Sequence, residues 1–323
     1  MNDDNPTPER PAALRWPILV VRYAAVGFGS ALAAILGVAA LTVVEGFWAR
    51  GKLLRTRSVT PTGASGPFGE QYDGQPLHLV LMGDSLAVGY GSDTDDQTVG
   101  VVLAKRLAEV AKRPVRLDNV AEVGAESTDL LAQLIAVGRM PSAPDVVVII
   151  VGGNDAMHLK PLADALHPLR ATIGELRRMG ARVVVGTCPD LGTVRSFFEP
   201  LRFFAHWLSR LLATSQTIVA LRAGARTVSL ADSLGPLFRR DPTSMFSAMD
   251  RLHPSGLGYV NAAEVLFPSV RAAAGYPAKD GPLVPYRVYD KTSSHPLAWL
   301  AFRASRRAGV RLRHAKDVAP PAA

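Results

Sequence analysis

The sequence predicts an α/β fold: a three-layer α/β/α sandwich around a mostly parallel sheet of five strands, preceded by an N-terminal transmembrane helix. Three observations predict it. Short apolar runs without a polar face alternate with segments of helical apolar spacing, as in parallel strands covered by helices on both faces. Hydroxyl, amide and acid–imidazole residues recur just beyond those runs, where open α/β sheets gather their reactive groups. An uncharged apolar stretch, Tyr23 to Val44, has the length of about 20 residues that a bilayer requires.

Taken in order, residues 1–22 are an N-terminal tail and 23–44 the transmembrane helix or signal anchor. Arg22 precedes that stretch, Glu45 and Arg50 follow it, and Phe47 and Trp48 stand where interfacial aromatics lie. A removed signal peptide is the alternative, although its apolar part is usually shorter, about 7–15 residues. A single-pass anchor in the cell membrane with an extracytoplasmic following domain is the expected arrangement, and secretion after cleavage the alternative. Arginines flank both sides (Arg10, Arg15 and Arg22; Arg50, Arg55 and Arg57, with Lys52), so charge alone does not orient it. Residues 45–76 are a linker, of which 51–76, rich in Gly, Pro, Ser and Thr, read as a linker or wrapping loop.

The main domain, residues 77–275, then begins. Strands are expected at Leu77–Met82, Val115–Val120, Val146–Val151, Arg182–Gly186 and, more weakly, Thr227–Leu230. Helices are expected at Val99–Lys112, at Ser127–Val137 with Ser127 or Thr128 as cap, at Ala163–Met179 and at Gly256–Ala274. A long helical region is expected after Gly186 to about Ala223. Its aromatic stretch, residues 197–208, reads as a helix packed into the core, with a pocket wall or membrane-facing flap as the alternative. Residues 276–323 form a basic, proline-containing C-terminal tail, either a short amphipathic helix on a membrane surface or a solvated tail.

The chain of 323 residues is 48% hydrophobic, which allows a sizeable core, and its net charge is +8. The positive charge gathers near both ends, which fits a membrane surface better than nucleic acid. Basic and aromatic residues do not interleave as on an RNA platform. The single cysteine, Cys188, excludes an intramolecular disulfide and reads as an inert small residue, since no motif surrounds it. Phosphate-loop, dinucleotide and zinc-protease patterns are absent, as is a G-x-S-x-G elbow, and the histidines lack metal-ligand spacing. No cofactor and no metal are therefore expected.

The strand ends supply an acyl-transfer set. Gly83-Asp84-Ser85-Leu86 follows the first strand; Asn119 and then Gly124 follow the second. Gly152-Gly153-Asn154-Asp155 follows the third, and Asp250-Arg251-Leu252-His253 follows the last. A serine hydroxyl needs a base to become a nucleophile, and His253 suits that task. Asp250, three residues earlier, can hold the other ring N–H. Asp84 and Asp155 are expected to brace their loops, His158 to face solvent from a loop, and His78 to be a satisfied core residue.

These four blocks, in this order, resemble the SGNH/GDSL hydrolase family over about residues 77–275. The resemblance implies a flavodoxin-like sheet and a serine esterase working through an acyl-serine intermediate. It implies Ser85, Asp250 and His253 as catalytic triad, and an oxyanion hole from the backbone N–H groups of Ser85 and Gly124 with the side-chain amide of Asn154. Short acyl or lipid-like esters are the expected substrates. A deacetylase of O-acetylated glycans or an acyltransferase on the same triad is the alternative, and an inactive membrane-anchored binding module a third reading. Oligomeric state is left open.

Overall fold

Residues 64–276, with the isolated positions Gly37, Val38 and Leu41, are described by the computed structural model. The expected N-terminal tail, the membrane segment at 23–44 and the C-terminal tail beyond Tyr276 otherwise lie outside the described residues. Among the described residues, no helix is long and apolar enough to cross a membrane.

The sheet grows from the apolar runs. Strands β1 (Gly66–Phe68), β2 (Leu77–Gly83), β3 (Val115–Asn119), β4 (Val146–Ile150), β5 (Arg182–Gly186) and β6 (Arg226–Val228) form one sheet in the order β1-β3-β2-β4-β5-β6. The last five pair in parallel, whereas β1 pairs antiparallel with β3. This corrects the expectation of five strands. The additional strand comes from the segment read as linker, where glycines and prolines around three residues hide an edge strand.

Side chains alternate across the sheet, as the pleat requires. Leu79, Leu81, Val148 and Ile150 enter one core layer, while Val80, Met82, Val147 and Ile149 enter the other. The first layer lies under α2 (Val99–Ala111) and α9 (Gly256–Ala273), the second under α3 (Leu130–Gly138) and α5 (Leu162–Arg178). Burial of each such leucine or isoleucine contributes roughly 1.5–3 kcal/mol. Helices therefore cover both faces, as expected.

Between the strands stand also α1 (Ser85–Val88), α4 (Gly153–Met157) and α6 (Leu201–Arg222), and after β6 come α7 (Leu230–Arg240) and α8 (Pro242–Met245). Two expectations are corrected here. The region after β5 is irregular up to Pro200, apart from one short turn of 3-10 helix, and helix begins only at Leu201. Most aromatic residues of the stretch 197–208 are not core. Phe203, Phe204 and Trp207 are 55%, 41% and 42% exposed. The buried stripe of α6 is instead Ala205, Ser209, Leu212, Ala213, Gln216 and Ala220, mostly small residues that let the helix lie close to the sheet. Phe197, just before the helix, is buried.

Parallel β2 and β4 lie side by side, but the chain visits β3 on the other flank in between. The winding direction reverses between β2 and β4. In sheets of this flavodoxin-like order, ligands bind outside the carboxyl ends of the strands at that reversal. Ser85 follows β2 and Asn154 follows β4.

Candidate active site

The end of β2 admits only glycine. Gly83 has φ +128, and a Cβ there would lie 1.8 Å from the Ile150 carbonyl oxygen. Gln133, on α3, accepts from the Gly83 N–H at 2.7 Å and donates to its carbonyl at 2.8 Å. Asp84 then caps α1, its Oδ1 accepting from the Leu86 N–H at 2.9 Å. This fixes Ser85, largely buried, as the first residue of that helix.

The loop after β3 is fastened to the same place. Asn119 donates from Nδ2 to the Ala87 carbonyl at 2.9 Å and accepts from the Ala121 N–H at 3.0 Å. The Glu122 N–H donates to the Gly83 carbonyl at 3.1 Å. Gly124 follows, exposed, with φ +86. Asn154 reaches this loop from β4, donating one N–H of its amide to the Ala125 carbonyl at 2.9 Å. Asp155 accepts from the Ser127 N–H and hydroxyl at 3.1 Å each. Asp84 and Asp155 thus brace their loops, as expected. The cap of the turn at 127 is Glu126 rather than Ser127 or Thr128.

Asp250 and His253 do not directly follow the last strand; α7 and α8 intervene. Their turn is held by its own bonds. Asp250 Oδ1 accepts from the N–H groups of Leu252 at 2.9 Å and His253 at 3.0 Å. Arg251 takes a left-handed φ of +53, and the Ser247 N–H donates to the His253 carbonyl at 2.8 Å. His253 Nδ1 lies 2.6 Å from Asp250 Oδ2, and His253 Nε2 lies 2.9 Å from Ser85 Oγ. An ionised carboxylate only accepts, so the proton belongs on Nδ1 and bare Nε2 faces the serine hydroxyl. Tyr90 packs edge-on against the imidazole at 4.7 Å.

Ser85, Asn154 and His253 line a cavity of about 920 Å³, open mouth included, which continues between apolar walls such as Leu86, Ile150, Leu191, Leu234, Phe238 and Phe246. Gly124 is not among the lining residues, although its neighbour Ala125 meets Asn154.

The charges follow from burial and contacts. Burial raises the Asp84 carboxyl from 3.8 to about 6, against the Leu86 N–H and nearby His253, which pull it down. Burial also pushes Asp250 up, but the hydrogen bond and charge of His253 and two backbone N–H donors outweigh it, leaving it below its ordinary value. Burial pushes the Cys188 thiol well up, so it stays protonated and inert, as its sequence context suggested. His78 is a buried residue whose Nε2 meets Asp118 at 2.7 Å, in keeping with a core role. Among the described residues, no three His, Cys, Asp or Glu side chains converge as a metal site.

Sequence reasoning missed several supports. Gln216, on α6, donates to the Val151 carbonyl at 2.9 Å and accepts from the Cys188 N–H at 2.7 Å, tying the ends of β4 and β5. Asp190 accepts from His206 at 2.8 Å and Arg239 at 2.7 Å, fixing the loop that presents Leu191 to the cavity. Only Gln133 left a signal, as a lone polar residue in the apolar run LLAQLIAVG.

A model of the GDSL-like lipase/acylhydrolase family matches residues 81–260. A GDSL-like esterase of Mycobacterium tuberculosis is 41% identical over 197 residues, which cover 61% of this chain and 62% of that protein. The chain thus spans under two thirds of that relative's length. The crystal structure of TesA covers 61% of this chain and 99% of its own at 23% identity and a TM-score of 0.49. That of a lipase/acylhydrolase from Enterococcus faecalis covers 64% and 99% at 21% identity and a TM-score of 0.48.

Proposed function

This chain belongs to the GDSL-like lipase/acylhydrolase family, and on that premise we propose that it hydrolyses carboxylic esters through an acyl-serine intermediate. The observation that carries the proposal is the relay Ser85 Oγ–His253 Nε2 at 2.9 Å and His253 Nδ1–Asp250 Oδ2 at 2.6 Å, set in the wall of an apolar cavity.

In this reading Ser85 Oγ attacks the ester carbonyl while Nε2 takes its proton. The imidazolium formed is held by Asp250. The carbonyl oxygen becomes an oxyanion, received by the N–H groups of Ser85 and Gly124 and by the second N–H of the Asn154 amide. The first N–H of that amide is already bound to Ala125. Each such donor typically contributes about 3–4 kcal/mol to the transition state. His253 then gives the proton to the departing alkoxide. Water repeats the cycle on the acyl-serine and releases the acid.

The apolar walls favour an ester with an apolar acyl or alkyl part over a small acetyl group on a polar glycan. Attachment to a membrane through residues 23–44, with the domain on the extracytoplasmic side, accords with lipid-like esters. The exposed Phe203 and Phe204 suit such a surface as well.

The test is turnover of p-nitrophenyl esters of graded acyl length by wild type and Ser85→Ala. Wild-type turnover that the substitution lowers by at least about 10⁴-fold in a folded protein is expected. Equal rates for the two proteins would refute the proposal.

A further inference from the structure

Two segments carry the proposed oxyanion donors: the loop after β3, with Gly124, and the short helix α4 after β4, with Asn154. One side chain spans them by ionic contacts. Glu126 Oε1 lies 2.6 Å from His158 Nδ1, and Glu126 Oε2 lies 2.7 Å from Lys160 Nζ. Glu126 stands two residues past Gly124; His158 and Lys160 stand four and six past Asn154. The carboxylate is mostly covered at 16% exposure, although both partners reach solvent.

The backbone is shaped to make this contact. Helix α4 stops at His158, whose N–H donates to the Asn154 carbonyl at 2.8 Å. Leu159 then adopts a left-handed φ of +54, which a branched-chain residue adopts only where its surroundings hold it. That turn brings the Lys160 N–H back to the Asp155 carbonyl at 2.9 Å and its ammonium to Glu126. On the other loop, Glu126 is fixed by a reciprocal cap: its backbone N–H donates to Asp129 at 2.8 Å. The charges answer one another. Lys160 and His158 hold the Glu126 carboxyl below its ordinary value despite burial, and Glu126 holds the Lys160 ammonium above its own.

We infer that Glu126, clamped by His158 and Lys160, is a positioning residue that sets the spacing between the Gly124 and Asn154 donors. It touches no reacting atom. The inference rests on the proposed esterase reading, because it concerns the oxyanion hole of that site. An oxyanion hole works only when its donors are aimed beforehand, and a displacement of about 1 Å can lower a rate about a hundredfold. Asn154 and Asp155 already join the loops on one side. Glu126 adds a separate charged tie beyond them, and it would keep Gly124 from drifting outward on its exposed loop.

The experiment measures kcat and KM on p-nitrophenyl butyrate, and inhibition by phenylboronic acid, whose serine adduct is tetrahedral. Wild type, Glu126→Ala, Glu126→Gln and Lys160→Met are compared, each with its melting temperature. For Glu126→Ala, kcat should fall about ten- to a hundredfold while KM moves less than about threefold. Boronate affinity should weaken by the same factor as kcat. Glu126→Gln, which keeps one acceptor oxygen for His158 or Lys160 but not the charge, should recover part of the loss, and Lys160→Met should show a smaller loss of the same kind. If Glu126→Ala fails to fold, the other two variants decide. Folded variants with wild-type kcat, or with a lowered kcat but unchanged boronate affinity, overturn the inference alone. A folded wild type without Ser85-dependent turnover overturns the esterase reading, and the inference falls with it.

Discussion

Ser85 and Asn154 follow the two central strands of the sheet, whereas Asp250 and His253 sit on a turn held by its own hydrogen bonds. The first half is fastened by the core. Gln133 binds both polar groups of Gly83, Gln216 ties β4 to β5, and Asp155 binds Ser127. The second half is held mainly by bonds within its own turn: Asp250 Oδ1 accepts from Leu252 and His253, Arg251 is left-handed, and Ser247 exchanges backbone bonds with Arg251 and His253. Loss of the residues that support the first half should therefore appear as lost stability, and damage to the second as lost turnover. The difference shows that one site can divide its demands, with Ser85, the proposed nucleophile, built into the fold and the proposed proton relay added on a turn.

The largest effect should come from the loop half. Asp250→Asn keeps an oxygen for the Leu252 and His253 N–H groups but turns an amide donor toward Nδ1. The imidazole must then carry its proton on Nε2, where it can no longer take one from Ser85. Turnover should fall by about 10⁴-fold, with a melting temperature close to wild type. Steady-state kinetics and calorimetry on the same sample check both parts, and a large loss of stability would break the comparison.

Gln133→Ala should do the reverse. It leaves the buried Gly83 N–H without a partner, at about 1–3 kcal/mol, and its carbonyl with the Glu122 N–H alone. Denaturant unfolding should register the loss, while activity per folded molecule falls much less.

The pH response of Asp84, which spreads over about two pH units, sharpens the picture of the sheet half. Its folded value of about 6 lies above the unfolded 3.8, so the folded state holds the proton more tightly. Stability from this group therefore falls as pH rises from about 4 to about 6, by an amount on the order of 3 kcal/mol, and is flat above. Unfolding free energies of wild type and Asp84→Asn, measured from pH 4 to 8, should diverge over that window and run parallel beyond it. Parallel curves throughout would mean that Asp84 stays ionised in the fold.

Much of this was legible in the sequence, for physical reasons. Val146–Ile150 is apolar on both faces because helices cover both, and an unbroken run of that kind is readable. The blocks at Ser85 and Asn154 stand out because polar residues gather where apolar runs stop, and Asp250–His253 stands out by the three-residue spacing of acid and imidazole. The rest depends on distant parts of the chain. Gly66–Phe68 is a strand only because β3 offers an edge. Asp190 meets Arg239 across 49 positions. Helix α7 carries Pro236, which hides its period. The aromatic residues of α6 suggested burial by composition, but the small residues on its other face decided which side packs. The sequence places His158 on a solvent-facing loop; it is exposed, yet its ring meets Glu126, a pairing that only the folded chain brings about.

The central claim is that the Ser85 hydroxyl is activated by the His253–Asp250 pair. Intact-mass and peptide-mapping spectrometry after treatment with a fluorophosphonate tests it most directly. A single adduct on the peptide carrying Ser85, lost in both Ser85→Ala and His253→Ala, is the predicted result. An adduct on another residue, or one that forms on Ser85 equally fast without His253, would contradict it.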